Sequence, residues 1–229
     1  MKIGGLQKVS LIDYPGKVAA VVFTQGCNFR CPYCHNPELV NPHLYGETIP
    51  EEDIVAFLMT RRGKLDAVTV TGGEPTLQEG LSNFLQRIKD LGFLVKIDTN
   101  GSFPAMIESL LQKGLADYFA MDLKGPLNKY EALIHARVKA EDIKESIALI
   151  TGSGVCHEFR TTLVASMLTE EDIKKIAGLI PSARKYVLQR FVPSKLLDIN
   201  FRKEMTFGDK EINDIMYNLE KTLSSVMIR

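Results

Sequence analysis

Six short apolar runs, at 18–24, 67–71, 94–99, 118–123, 158–164 and 186–192, alternate with stretches patterned as helices, and no other feature limits the fold as strongly. One helix is expected to start at Thr48-Ile49-Pro50-Glu51, where a capping-box spacing meets an early helical proline. Another should run over 81–91 and end at Gly92 as its C-cap. Others occupy about 104–112, 140–151 and 170–179. A last one, about 209–225, places Ile212, Ile215, Met216, Leu219 and Leu223 on one face. Such alternation implies parallel βα units with right-handed crossovers. Six units are too few to close an eight-stranded barrel. The expected fold is α/β, a partial (β/α)6 TIM-type barrel of parallel strands, open on one side. It forms a single domain over 1–229, with a core of about 13–192.

Ligand-grade side chains fall at or just past the C-terminal end of each run. They are Gln25-Gly26-Cys27, Gly72-Gly73-Glu74-Pro75, Asp98-Thr99-Asn100-Gly101, Asp122-Leu123-Lys124, Arg160-Thr161 and Gln189-Arg190. In α/β barrels the catalytic face is built from strand C-termini and the loops that follow them. Any one of these residues could simply mark a strand end, but six runs agree. An open side would also admit a large substrate.

Three of the four cysteines lie within eight residues, Cys27-Asn28-Phe29-Arg30-Cys31-Pro32-Tyr33-Cys34. A structural zinc site closes with four ligands. A fourth ligand from His35 would be adjacent to Cys34, and neighbouring side chains rarely converge on one tetrahedral ion. Disulfides do not persist in a reducing cytosol, and residues 1–30 lack the pattern of a secretory signal peptide. An iron–sulfur cubane is normally held by four thiolates, so three thiolates leave one iron free for a substrate. Cys156 stands alone and is expected to be a packed or incidental thiol rather than a ligand. His43, His135 and His157 have no ligand spacing.

The C-x3-C-x2-C loop resembles that of the radical S-adenosylmethionine superfamily. That resemblance runs from Asp13 to about Arg190. It implies a [4Fe–4S] cluster on Cys27, Cys31 and Cys34, which binds S-adenosyl-L-methionine and cleaves it reductively to a radical that takes a hydrogen atom from substrate. It further implies that Tyr33 lies near the adenine. Gly72, Gly73 and Glu74 match the superfamily's GGE-type motif, with Glu74 accepting from the methionine ammonium. The runs at 98–101 and 121–124 are similar to motifs of glycyl-radical-enzyme activases. In that branch Asp98, Thr99 and Asn100 sit by the cofactor, Lys124 pairs with its carboxylate, and Asp98 and Asp122 are placed to hold a monovalent cation. Arg160 and Arg190 either bind that carboxylate or neutralise these acids.

Activases carry Asp-Gly-Pro-Gly before the first strand, where the aspartate meets the target's glycine loop. Here the run is Asp13-Tyr14-Pro15-Gly16, with Tyr14 in place of glycine. The Tyr33-Cys34-His35-Asn36 run also favours activases. The nearest family is the anaerobic ribonucleoside-triphosphate reductase activating proteins. The implied partners are that glycyl-radical enzyme and a flavodoxin or ferredoxin as electron donor. The alternative is a radical enzyme acting on a small molecule, such as a deazapurine-forming synthase. A zinc-dependent binding module is a third reading. Only Cys156 lies outside the loop, so auxiliary clusters lack ligands. Lys plus Arg (28) equal Asp plus Glu (28), leaving no global basic field for nucleic acid or an anionic membrane. No apolar stretch approaches the ~20 residues that span a bilayer, and a cytoplasmic location is expected.

Overall fold

The computed structural model describes residues 1–229. Its strands are β1 (Ile3–Ser10), β2 (Ala19–Thr24), β3 (Ala67–Gly72), β4 (Leu94–Thr99), β5 (Tyr118–Asp122), β6 (Cys156–Leu163), β7 (Tyr186–Arg190) and β8 (Val226–Ile228). The helices are α1 (Pro37–Val40), α2 (Glu51–Met59), α3 (Leu81–Asp90), α4 (Pro104–Gln112), α5 (Tyr130–Ile134), α6 (Ala140–Gly152), α7 (Glu170–Ala177) and α8 (Asp209–Leu219). The strands follow chain order across the sheet, with β1 and β8 at its edges. β1 runs antiparallel to β2. β2, β3 and β4 are parallel, and so are β6, β7 and β8. No helix is long and apolar enough to cross a membrane.

Two compact units divide the chain. The first comprises residues 1–28, 36–99 and 105–119; the second comprises 29–35, 100–104 and 120–229. In the first, Val22, Val68, Val70, Val95 and Ile97 of the strands and Ile54, Leu58, Phe84, Leu85 and Ile88 of α2 and α3 are fully buried. In the second, Phe159, Val187 and Leu188 and the helical Ile143, Ile150, Ile173, Ile176 and Ile212 play that part. Strands buried on both faces read as near-continuous apolar runs, which is why β2 to β7 fall where the sequence places them.

The sequence reading needs correction at both sheet edges and at two helix ends. β1 was not expected, because Ile-Gly-Gly-Leu-Gln-Lys-Val-Ser shows no two-residue alternation; its pairing with β2 is irregular in two places. The helix expected from Thr48 starts at Glu51 instead, capped by Pro50 with no side-chain cap. Ile49 bridges Ile3, and its N–H donates to the Ile3 carbonyl at 2.8 Å, so the backbone there is extended. α8 stops at Leu219, and the chain turns and extends so that Val226–Ile228 can pair with Tyr186–Leu188 of β7.

Candidate active site

In the first unit, the glycines after β3 are set by the backbone beside them. Gly72 has φ +112°, and a Cβ there would lie 2.5 Å from the Thr24 nitrogen. A Cβ on Gly73 would lie 2.0 Å from the Gly26 carbonyl oxygen. Only glycine tolerates such approach. The turn is stitched by Gly73 N–H to the Thr24 carbonyl (2.8 Å) and Glu74 N–H to the Gly26 carbonyl (2.7 Å). This Gly-Gly pair therefore fixes the backbone immediately before Cys27. Gln78 supports the same stretch by donating to the Gln25 carbonyl at 3.0 Å.

Glu74 is 1% exposed. Its Oε1 accepts from Thr76 N–H (3.1 Å), Thr76 Oγ1 (2.5 Å) and Thr99 Oγ1 (2.7 Å). Glu74 and Thr99 are thus joined. On β4, Asp98 forms an ion pair with Lys96, whose side chain is 2% exposed. Residues two apart on a strand share a face, so this pairing is legible from spacing.

In the second unit, the remainder of the cysteine loop is held from several directions. Arg30 N–H donates to the Ile134 carbonyl (2.8 Å), Asp198 N–H to that of Pro32 (3.0 Å) and Leu197 N–H to that of Cys34 (2.9 Å). His35 stacks on Phe191, with ring centroids 6.0 Å apart, and its Nε2 lies 2.9 Å from the Val192 carbonyl. His35 thus belongs to the packing of this loop. Cys31 and Tyr33 are buried. Burial pushes the Cys31 thiol up to about 11, against the opposing pull of Lys124. Burial likewise raises Tyr33.

Asp122 and Lys124 form an ion pair at 2.9 Å, and the Arg160 Nε donates to the other Asp122 oxygen at 2.7 Å. Burial raises the Asp122 pKa, but Arg160 and Lys124 outweigh it and hold the carboxyl well below its ordinary range. Burial opposes the charge on Lys124, and Asp122 overrides it, raising its pKa. The Lys124 ammonium also sits 6.0 Å from the Tyr33 ring centre. The backbone here is clamped. Tyr130 Oη accepts from Lys124 N–H (3.2 Å), Leu123 N–H donates to the Arg160 carbonyl (2.8 Å), and the chain Tyr186 Oη to Thr161 Oγ1 to the Leu123 carbonyl runs at 2.8 and 2.9 Å. Lys96, Tyr130 and Tyr186 are components that the motif reading omitted; the tyrosines carry no local spacing that would reveal them.

Asp98 is paired with Lys96, and Asp122 with Lys124 and Arg160. Asn100 Oδ1 accepts from Ser102 N–H (3.0 Å) and Ser102 Oγ (2.6 Å), closing the turn after β4. Arg190 pairs with Asp209 at 2.7 Å rather than with Asp122. Asp13 is braced by Ser10 in the turn between β1 and β2. Of the two readings of Cys156, its exposure leaves the incidental thiol; His157 is buried, with Arg184 N–H donating to its Nε2 at 3.3 Å. No cysteine forms a disulfide. No group of three or more His, Cys, Asp or Glu side chains is arranged around a single ion.

Residues 21–180 match the family model described as the Radical SAM superfamily. The chain is a radical SAM protein. A protein of Methanocaldococcus jannaschii with the provisional name of glycyl-radical enzyme activating enzyme is 37% identical to it, over 99% of this chain and 95% of that one. The pyruvate formate-lyase-activating enzyme of Clostridium pasteurianum is 29% identical, over 93% and 90%. These likenesses place this radical SAM enzyme in the glycyl-radical-enzyme activase branch. The structure of Streptococcus suis SuiB bound to S-adenosylmethionine superposes with a TM-score of 0.68 at 14% identity, over 91% of this chain and 51% of that one. The chain thus spans about half the length of that structure and shares its fold, a partial barrel whose sheet is not closed. The superfamily uses a [4Fe–4S] cluster and S-adenosylmethionine. The donor set suits such a cluster, because three thiols outside any disulfide lie on one loop, and a cubane takes a thiolate on each of several irons.

Proposed function

We propose that this radical SAM enzyme makes a glycyl radical on anaerobic ribonucleoside-triphosphate reductase, with flavodoxin or ferredoxin as electron donor. Cys27, Cys31 and Cys34 would hold the cluster. When cluster and cofactor are bound, they supply a one-electron cleavage that ends in removal of a hydrogen atom from a glycine of the partner. The protein's part is to bind, orient and exclude water. Glu74, an acceptor already fixed by Thr76 and Thr99, takes the cofactor's ammonium. Lys124 takes its carboxylate, with Arg160 holding Asp122 so that Lys124 stays charged and aimed. Tyr33 is assigned to the adenine, and Gly72, Gly73, Asp98, Thr99 and Asn100 to further contacts with the cofactor. Arg190 is assigned a supporting role at the end of β7, and Asp13 a contact with the partner's glycine loop.

The observation that carries this reading is the Asp122–Lys124–Arg160 group beside the buried Tyr33. A half-buried cation fixed by its own counter-ion network suits a carboxylate ligand, since charge-assisted hydrogen bonds are the strong ones. The full-length likeness to activating enzymes favours a protein substrate over a small molecule. Protein reconstituted without oxygen should hold about four irons and four sulfides per chain. Any of Cys27→Ala, Cys31→Ala or Cys34→Ala should remove most of that iron, and Cys156→Ala should not. On mixing with reductase, cofactor and reductant, a glycyl-radical doublet should appear by electron paramagnetic resonance. A preparation that takes up only zinc, or a small metabolite that stimulates cofactor cleavage where no reductase gives a doublet, would overturn the reading.

A further inference from the structure

We propose that the Lys96 ammonium takes the place of a monovalent cation beside Asp98, so that this enzyme binds its cofactor without an alkali ion. The inference rests on the cofactor contacts given to Asp98 and Lys124 under the function proposed above. Lys96 touches neither substrate nor cofactor in this reading. It acts through Asp98 and is a positioning residue.

Lysine is almost never as deeply buried as Lys96 unless it is paired. Its ammonium donates to Asp98 Oδ1 and sits 6.0 Å from the ring centre of Tyr118, whose face attracts a cation. Tyr118 is held in turn by Tyr14, the two buried rings lying 5.6 Å apart. The positive charge is thus fixed from two sides. Stability alone does not account for it, because a buried ion pair gains little over apolar residues of like size. The strand neighbours Val95 and Ile97 are such residues, both fully buried. What the pair does supply is a neutralised acid at the end of β4. The next residue, Thr99, donates to Glu74 Oε1 at 2.7 Å, the acceptor assigned to the cofactor's ammonium.

The two acids expected to hold a monovalent cation do not fit that task. An alkali ion on the Asp98 carboxylate would stand beside a fixed like charge, where little water is present to weaken the repulsion. Within the second unit, Asp122 accepts from Lys124 Nζ on one oxygen at 2.9 Å and from Arg160 Nε on the other at 2.7 Å. Each of its oxygens therefore already faces a cation that belongs to the protein. An ammonium carries the same single charge as the ion it replaces and, being covalently tethered, is present at any salt concentration.

The test measures S-adenosylmethionine binding to reconstituted protein by calorimetry, in chloride salts of tetramethylammonium, sodium or potassium at equal ionic strength. Tetramethylammonium is too bulky to settle on a buried carboxylate. Wild type should give one dissociation constant within about twofold in all three, because screening is then the same. Lys96→Met should bind about tenfold or more weakly in tetramethylammonium, the loss expected with a charged partner gone. Sodium or potassium should restore most of that affinity by occupying Asp98. Without cluster or cofactor, either alkali ion should also raise the urea midpoint of Lys96→Met and leave that of wild type unchanged. Lys96→Gln, which removes the charge but keeps a donor, carries the same comparisons if Lys96→Met does not fold. A wild type that binds more tightly in either alkali salt would overturn the proposal. So would a lysine variant whose affinity is unchanged in tetramethylammonium or lowered equally in all three salts. A wild type that gives no glycyl-radical doublet on any reductase would overturn the proposed function instead, since calorimetry and urea melts need no partner.

Discussion

Two lysine–aspartate pairs stand at neighbouring strand ends in opposite order, and the order decides what each can do. On β4 the lysine comes first, as Lys96 within the strand, with Asp98 two residues later. Both are buried, and strand alternation puts them on one face. On β5 the aspartate comes first, as the last strand residue, and Lys124 lies in the loop beyond. That pair remains partly accessible, and Arg160 joins it as a second cation. Position relative to the strand end thus separates a lysine held inside the strand from one that can be presented to a ligand. Burying an ion pair adds little net stability, but removing one member leaves a charge that the interior cannot solvate. The β4 pair is the more deeply buried of the two and so the more open to that cost. The β5 aspartate keeps Arg160 if Lys124 is lost.

The largest effect should follow from Lys96→Met. It leaves the Asp98 charge at a buried position and should lower stability by about 3–5 kcal/mol, read as a drop in the urea midpoint at constant slope. Asp98→Asn in the same background should recover part of the loss. Lys124→Ala should behave differently. Its stability loss should stay below about 1.5 kcal/mol, the scale of one ordinary hydrogen bond, since Arg160 still faces Asp122 at 2.7 Å. Its cost should appear in cofactor affinity. Losing a hydrogen bond to a charged group costs ~1.5–3 kcal/mol, or roughly 10- to 100-fold in the dissociation constant for S-adenosylmethionine by calorimetry. If both lysine variants lose the same stability and neither loses affinity, the distinction between the two strand ends is wrong.

Much of this was legible because it is local. β2 to β7 announce themselves as apolar runs, and the three cysteines, Gly72-Gly73-Glu74 and Asp122–Lys124 are contiguous in the chain. What the Gly-Gly pair does was not legible. A Cβ on either glycine would strike the backbone at Thr24 or Gly26, a close approach between segments far apart in the chain. Contacts formed across long separations were also hidden. Arg160 reaches Asp122 over 38 residues, Tyr186 reaches Thr161 over 25, and residues 197–198 bond back to the cysteine loop. Arg190 was grouped with Arg160 because both follow strand ends, yet its guanidinium turns to Asp209 at the start of α8. Nothing in the spacing of a strand end tells which neighbouring helix will supply a counter-ion. β1 and β8 escaped for a related reason. β1 is half exposed and β8 only three residues long, so both carry weak patterns, and pairing with β2 and β7 defines them.

The smallest effect, and the sharpest on mechanism, is the acid limb of stability. The Asp122 carboxyl titrates below its ordinary range in the folded protein, because Arg160 and Lys124 outweigh burial. Unfolded, it should titrate near pH 4. A group with a depressed folded pKa contributes stability that is complete above the unfolded value and fades as pH falls below it. Wild type should therefore lose part of its stability on acidification from about pH 4 downward. Asp122→Asn carries no charge in that window and should show a shallower acid limb, in urea melts taken at several pH values between about 5 and 3. Above pH 5 the two curves should run parallel, the variant lying lower. Lys124→Ala should fall between them, since Arg160 alone still favours the ionised carboxylate. A wild-type limb no steeper than that of Asp122→Asn would mean that the cations do not hold Asp122 ionised. The role of Arg160 in keeping Lys124 aimed would then fall with it.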